Sequence, residues 1–191
     1  MKTNFLKPAL LATVILSALS FTSLETIKKK IDIKESTVNW VGKKVTGQHS
    51  GTIQLKSGHF LMEDGKLIGG EFTIDMNTIA VTDLSGEYQT KLEGHLKSDD
   101  FFGVETFPTS KLVITSAEKT SDGYKINADL TIKEITNPIE FDLKMVENTA
   151  SASFQIDRAK YNVRYGSGSF FDNLGDNMIY DNFDVEVLLK F

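Results

Sequence analysis

From residue 36 to the C-terminus, apolar and polar residues alternate with a period of two in eight successive runs. The clearest is Tyr124, Ile126, Ala128, Leu130 and Ile132, each separated from the next by a polar residue or threonine. Successive side chains of a strand point to opposite faces, so this pattern buries one face and leaves the other wet. The other runs are carried by Val38 and Trp40; Ile53 and Leu55; Ile68, Phe72, Ile74 and Met76; Leu112 and Ile114; Ile139, Phe141, Leu143 and Met145; Phe154 and Ile156; and Phe183, Val185, Val187 and Leu189. Ser57-Gly58, Asp64-Gly65 and Asp122-Gly123 read as hairpin connections, and Asn137-Pro138 and Glu147-Asn148 as separators. Strands joined this tightly pair antiparallel. Eight one-sided strands bury their faces either as a two-sheet sandwich or as a closed barrel wide enough to hold one small ligand. The succession of hairpins favours the barrel, in up-and-down order.

One stretch departs from period two. Leu84, Tyr88, Leu92 and Leu96 fall four apart, with charged residues between them, and predict an amphipathic helix over 84–97 with Asp83 as its N-cap. Ahead of the first strand, Lys2 and Lys7 precede an apolar run from Ala9 to Phe21 that ends in small residues. That is the pattern of a secretory signal peptide over residues 1–20. A charged lead-in over 21–35 and a single domain over 36–191 follow. The expected location is exported, periplasmic or secreted, with no stable membrane span once the leader is cut.

The chain has no cysteine, which excludes disulfides, thiolate metal sites and a cysteine nucleophile. A formal charge of −5 argues against nucleic acid as a partner. His49, His59 and His95 have no metal-ligand spacing, and neither a nucleophile elbow nor a phosphate loop is present. Asp99-Asp100 are neighbours whose side chains point apart. The glycine-rich segment 165–177 reads as a surface loop. No catalytic residue, metal or cofactor is therefore expected. The binding signals are stronger. Arg158 shares strand parity with Phe154 and Ile156, so a cation falls on an apolar face and needs either a carboxylate or an anionic head group. Arg164 is a second candidate. Two long loops are unusually aromatic: one carries Phe101, Phe102 and Phe107, the other Phe170, Phe171, Tyr180 and Phe183. Apolar loops of this kind mark lids or interaction sites.

Several segments recur here in a fixed order: KKVTGQHSGTIQLKSGHF (43–60), LIGGEFTIDMNTI (67–79), HLKSDDFFGVETFPTSKLVITS (95–116), DLTIKEITNPIEFDL (129–143) and IDRAKYNV (156–163). Together they resemble the YceI-like family of exported, lipocalin-like proteins. The resemblance implies an eight-stranded antiparallel barrel with an accompanying helix. It also implies a lumen holding a long-chain isoprenoid lipid, such as a polyprenyl phosphate or a quinone tail. Where the family carries Arg-Gly after LTI, this chain has Lys133-Glu134. Strand parity then nominates Trp40, Phe72, Ile126, Leu130, Phe141, Leu143, Phe154 and Val185 as the lining. Arg158, Arg164 and His95 are the head-group candidates. Phe101 and Phe102 are expected where the helix returns to the barrel, one in the core and one over the lumen. An exposed lid would also support a homodimer. Two rivals remain open: an enzyme acting on a bound lipid through His95 or Asp157, and a solid interior filled by Trp40, Phe72, Phe141 and Phe154.

Overall fold

The computed structural model describes residues 25–191, so the expected signal peptide lies outside the described residues. The strands are β1 (Thr26–Lys30), β2 (Asp32–Lys44), β3 (Gly47–Glu63), β4 (Lys66–Val81), β5 (Thr109–Lys119), β6 (Tyr124–Ile132), β7 (Ile135–Val146), β8 (Thr149–Asp157) and β9 (Asn182–Lys190), with one helix, α1 (Gly86–Lys97). Each of β2 to β9 pairs antiparallel with its neighbours in chain order, and β9 returns to β2. The eight staves close into an up-and-down barrel. Closure pairs each stave with a neighbour on both sides, which is how an all-antiparallel chain limits edge-to-edge association.

The eight alternating runs are the eight staves, but the staves are longer than the runs. The charged lead-in is not outside the fold. β1 pairs with the second half of β3, from Lys30↔His59 to Thr26↔Glu63, and β2 pairs with the first half. Ile31 bridges the two, its N–H donating to the Gly58 carbonyl. Ser57-Gly58 is therefore no hairpin; it lies inside β3, where the register shifts between Leu55 and Ser57. Asn137-Pro138 likewise lies inside β7. The turn before it is Lys133-Glu134, both left-handed at φ 50° and 60°. Two such residues make the two-residue turn that matches strand twist, and the chain adopts it here without the favoured glycine. A second register shift, between Leu61 and Met62, changes which face β4 presents at its start. Leu67 is buried and Ile68 is exposed, the reverse of the simple parity reading.

The helix begins at Gly86, later than expected, and Ser85 rather than Asp83 stands at its N-cap. Asp83 instead accepts from the Ser50 N–H (3.0 Å) and pairs with His49 (2.9 Å). Tyr88 is exposed, and no residue of α1 is fully buried.

The barrel is packed differently along its axis. At the end away from α1, Phe60 makes edge-on contacts with Phe72 and Phe191, both at 5.2 Å between centroids. Leu67, Tyr124, Ile126, Ala150 and Leu189 fill the same end, and the Leu67 N–H donates to the Tyr124 hydroxyl (3.2 Å). At the α1 end, Met76, Ile79 and Val104 form a smaller cluster against Trp40, Leu96 and Phe102. One part of the wall is thin. β7 and β8 pair at three positions only, from Val146↔Thr149 to Lys144↔Ser151.

The lumen and its mouth

Between the two ends runs a cavity of about 210 Å³. Every barrel strand contributes to its lining: Trp40 from β2, Leu55 from β3, Phe72 from β4, Leu112 from β5, Leu130 from β6, Phe141 and Leu143 from β7, Phe154 from β8 and Val185 from β9. Leu96 of α1 and the Phe101-Phe102 pair close it at the helix end. The surface is almost wholly hydrocarbon. Two lining residues carry polar side-chain atoms. The Trp40 indole N–H is donated to the Thr52 carbonyl (3.2 Å), and Ser110 is buried at the start of β5. Gly51 lets the indole lie against β3, for a Cβ there would meet Trp40 Cε2 at 2.6 Å and the Ala80 carbonyl.

Nine of the thirteen residues nominated from sequence line this cavity: Trp40, Phe72, Phe101, Phe102, Leu130, Phe141, Leu143, Phe154 and Val185. Four do not. Ile126 has the right parity but sits deeper, in the filled end, with no exposed surface. His95 faces away from the lumen. Its ring packs edge-on against Tyr165 (4.4 Å) and Phe101 (5.7 Å), and its Nε2 is buried without a hydrogen-bond partner among the described residues.

Arg158 is the largest departure. β8 ends at Asp157, whose carboxylate accepts from the Ala159 N–H and caps the 3-10 turn Arg158–Tyr161. The Arg158 side chain is buried, and its N–H groups are donated to the carbonyls of Tyr180 (3.3 Å), Val163 (3.0 Å), Tyr165 (2.9 Å) and Ile179 (3.0 Å). Its Nη2 also faces Asp181 at 3.4 Å. A guanidinium has five donors; four are spent on these carbonyls, and the fifth faces the Asp181 carboxylate. None remains for a head group; the carboxylate alternative holds, and most of the work is done by backbone. Burial lowers the Arg158 pKa, and Asp181 and Asp157 oppose that shift. Beside it, burial pushes the Tyr161 phenol up to about 12. Arg158 also lies over the Phe101 ring at 5.3 Å. Phe101 thus forms a wall, with lumen on one side and this polar cluster on the other.

Arg164 does lie at the helix end of the barrel, in a second and wider cleft. Lys44, Lys133, Asp99, Asp100, Tyr165 and Phe171 share it. The Arg164 guanidinium stacks on Phe170 at 4.5 Å, and the Lys133 ammonium donates to the Phe101 carbonyl (3.0 Å). Desolvation lowers the Lys133 pKa, with Asp99 opposing. Neither cation was resolved as a cluster by sequence, because β2, the β6–β7 turn and the 158–181 loop meet only in space.

The helix α1 is tied to the barrel by a few side-chain hydrogen bonds. Glu93 accepts from the Val81 N–H (2.9 Å), and Gln89 donates to both the Val81 carbonyl (2.9 Å) and Glu93 (3.1 Å). The Val81 hydrogen bond holds the Glu93 carboxyl below its usual range. A depressed folded pKa means a contribution present above the unfolded value and lost as pH falls through the folded one. Hydrogen-exchange protection of the 86–97 amides, relative to β6, is therefore expected to fall with pH below about 4.3, the ordinary glutamate value. The same measurement on Glu93→Gln should show no such step.

Among the described residues no cluster of metal-ligating side chains occurs, and no helix is long and apolar enough to cross a membrane. The structure is a closed eight-stranded antiparallel barrel with a hydrocarbon-lined lumen and a single helix, α1, against one end. The YceI-like domain model matches residues 30–191, and the chain belongs to that family. Protein YceI of Escherichia coli O6:H1 is 26% identical over 96 residues, covering 50% of this chain and 48% of that protein. The chain thus spans about half the length of the curated relatives it matches. Burkholderia cenocepacia BcnA superposes with a TM-score of 0.62 at 20% identity, over 83% of this chain and 98% of BcnA. A polyisoprenoid binding domain from Saccharophagus degradans superposes at 0.57 and 14% identity, over 87% and 97% of the two chains. These likenesses establish the fold.

Proposed function

We propose that the protein binds a long-chain isoprenoid lipid, carrying or sequestering it outside the cytoplasm without chemically altering it. The observation that carries this reading is the lumen: it is lined by all eight barrel strands and offers hydrocarbon along its length. Burying an apolar chain there gains roughly 25 cal/mol per Å² before the cost of ordering it. The cavity is smaller than the roughly 300–1,000 Å³ of ordinary small-molecule pockets, which favours a single flexible chain over a bulky ring system. Polyisoprenoid binding by the Saccharophagus domain of the same fold points the same way. The head of the ligand belongs in the cleft beyond Phe101, where the cations Lys44, Lys133 and Arg164 outnumber the carboxylates Asp99 and Asp100. None of the residues lining the lumen is titratable near neutrality, and Asp157 is occupied as a cap; this supports a carrier over an enzyme. The export part of the reading rests on Lys2, Lys7 and the apolar run that follows them.

The test is native mass spectrometry after incubation with vesicles containing undecaprenyl phosphate, ubiquinone-8 or palmitate. A one-to-one adduct with either isoprenoid is expected. Adducts with palmitate alone, or with none of the three, would overturn the isoprenoid reading.

A further inference from the structure

The barrel wall is not uniform, and its weak place has a definite chemistry. β6 and β7 pair at nine positions, and so do β8 and β9, yet β7 and β8 pair only beside their connecting turn. Beyond Lys144 and Ser151 the two strands part. The seam closes again where the Asn137 side chain donates to the Lys160 carbonyl (3.1 Å). Between these limits two strand edges face each other without a ladder. Such edges are usually paired or covered, because unpaired N–H and C=O groups invite association.

Pro138 shows that the gap is written into the sequence. Counting pairs from the two-residue turn at Lys133-Glu134, hydrogen-bonded and non-bonded pairs alternate, and Pro138↔Asp129 falls at a non-bonded pair. Its nitrogen therefore points toward β8, where a ladder would need an N–H. Proline is tolerated in a strand at such a free edge.

What fills the gap is aromatic. Phe141 and Phe154 stack across it, centroids 4.6 Å apart and planes 21° off parallel. Both line the lumen, and both are only partly buried. Here the hydrocarbon interior meets the outside through a stretch of wall with no β7–β8 ladder to hold it shut. The two barrel ends offer less. One is filled by Phe60 and its neighbours, and the other lies under α1 and Phe102.

We propose that the β7–β8 seam is a lateral portal through which the hydrocarbon chain of the ligand enters and leaves the lumen, with Phe141 and Phe154 as its door. Opening it requires rotation of two side chains and a modest parting of strands, whereas entry through the neighbouring β6–β7 or β8–β9 wall must break a nine-pair ladder. The proposal rests on the isoprenoid-binding reading above.

The chain has no cysteine, so a staple can be introduced cleanly. Asp142 and Ser153 continue the register of Lys144↔Ser151 into the seam, and both are exposed. Asp142→Cys with Ser153→Cys, joined by a short bifunctional thiol reagent, closes the seam without requiring disulfide distance. The control staple, Glu118→Cys with Lys125→Cys, joins β5 and β6 at a position that already pairs. The probe is nitrobenzoxadiazole-labelled geranylgeraniol offered from phosphatidylcholine vesicles. Uptake is expected to slow at least ten-fold when the seam is stapled before exposure, and release to slow equally when it is stapled after loading. The control staple should leave both rates unchanged, and Phe154→Ala should speed uptake. Equal uptake by seam-stapled and unstapled protein overturns the portal while leaving the binding reading intact. If the unstapled protein takes up no probe, the binding reading falls and the portal with it.

Discussion

Arg158→Met should unfold in urea at a far lower concentration than the parent chain, a loss of about 3–5 kcal/mol. Methionine replaces the bulk of the side chain and none of its donors. The carbonyls of Val163, Tyr165, Ile179 and Tyr180 would lose the donor that now satisfies them, the first in a buried position and the others in part-buried ones. Asp181 would lose the cation at 3.4 Å and keep only the Ser169 hydroxyl at 2.6 Å. Leaving buried polar groups unpaired costs more than the bonds contributed when made. Arg158→Lys should recover little of the loss, because an ammonium has three donors and cannot reproduce the planar fork. Asp181→Asn, which spares the four carbonyls, should cost much less than either. A midpoint for Arg158→Met close to that of the parent would mean that the 158–181 loop is held by other contacts.

Arg158 also marks how far sequence reasoning reached. Parity along β8 placed it on the buried face, and it is buried. Its partners come from a loop that folds back on itself, which no local pattern encodes. The staves themselves were legible because one-sided burial imposes period two directly. Their limits were not. Ser57-Gly58 and Asn137-Pro138 are turn-forming pairs absorbed inside strands, the first at a register shift and the second at a free edge. Register shifts likewise reversed Leu67 and Ile68. The helix was found and its packing overrated: Leu96 reaches the lumen, while Tyr88, on the same spacing, stands in solvent. Alternation reports which face a residue takes, not how deep along the barrel it lies. Leu130 and Ile126 share a strand and a face, yet one borders the cavity and the other is packed solid. The seam was invisible for a related reason, since side-chain periodicity says nothing about whether a strand edge finds a partner.

That difference in depth separates stability from binding. Ile126→Ala deletes hydrocarbon from the filled end, where the residue has no exposed surface. Such truncations cost about 2–5 kcal/mol, because transfer and cavity terms add. The melting temperature should drop accordingly, while the folded protein keeps its isoprenoid affinity in titrations run well below the transition. Ala152→Phe should do the reverse. Ala152 lines the lumen beside Phe154 and is only partly buried, so a larger ring extends into free space rather than into packed neighbours. Overpacking a full core costs about 1–3 kcal/mol, and a site bordering a cavity should lie at or below the low end. Yet the ring takes volume from a cavity of about 210 Å³ that has little to spare. Binding of the labelled geranylgeraniol should weaken at least ten-fold with the melting temperature nearly unchanged. If the two variants instead lost stability and affinity together, the filled end and the lumen would be one deformable core, and the cavity would have no independent role.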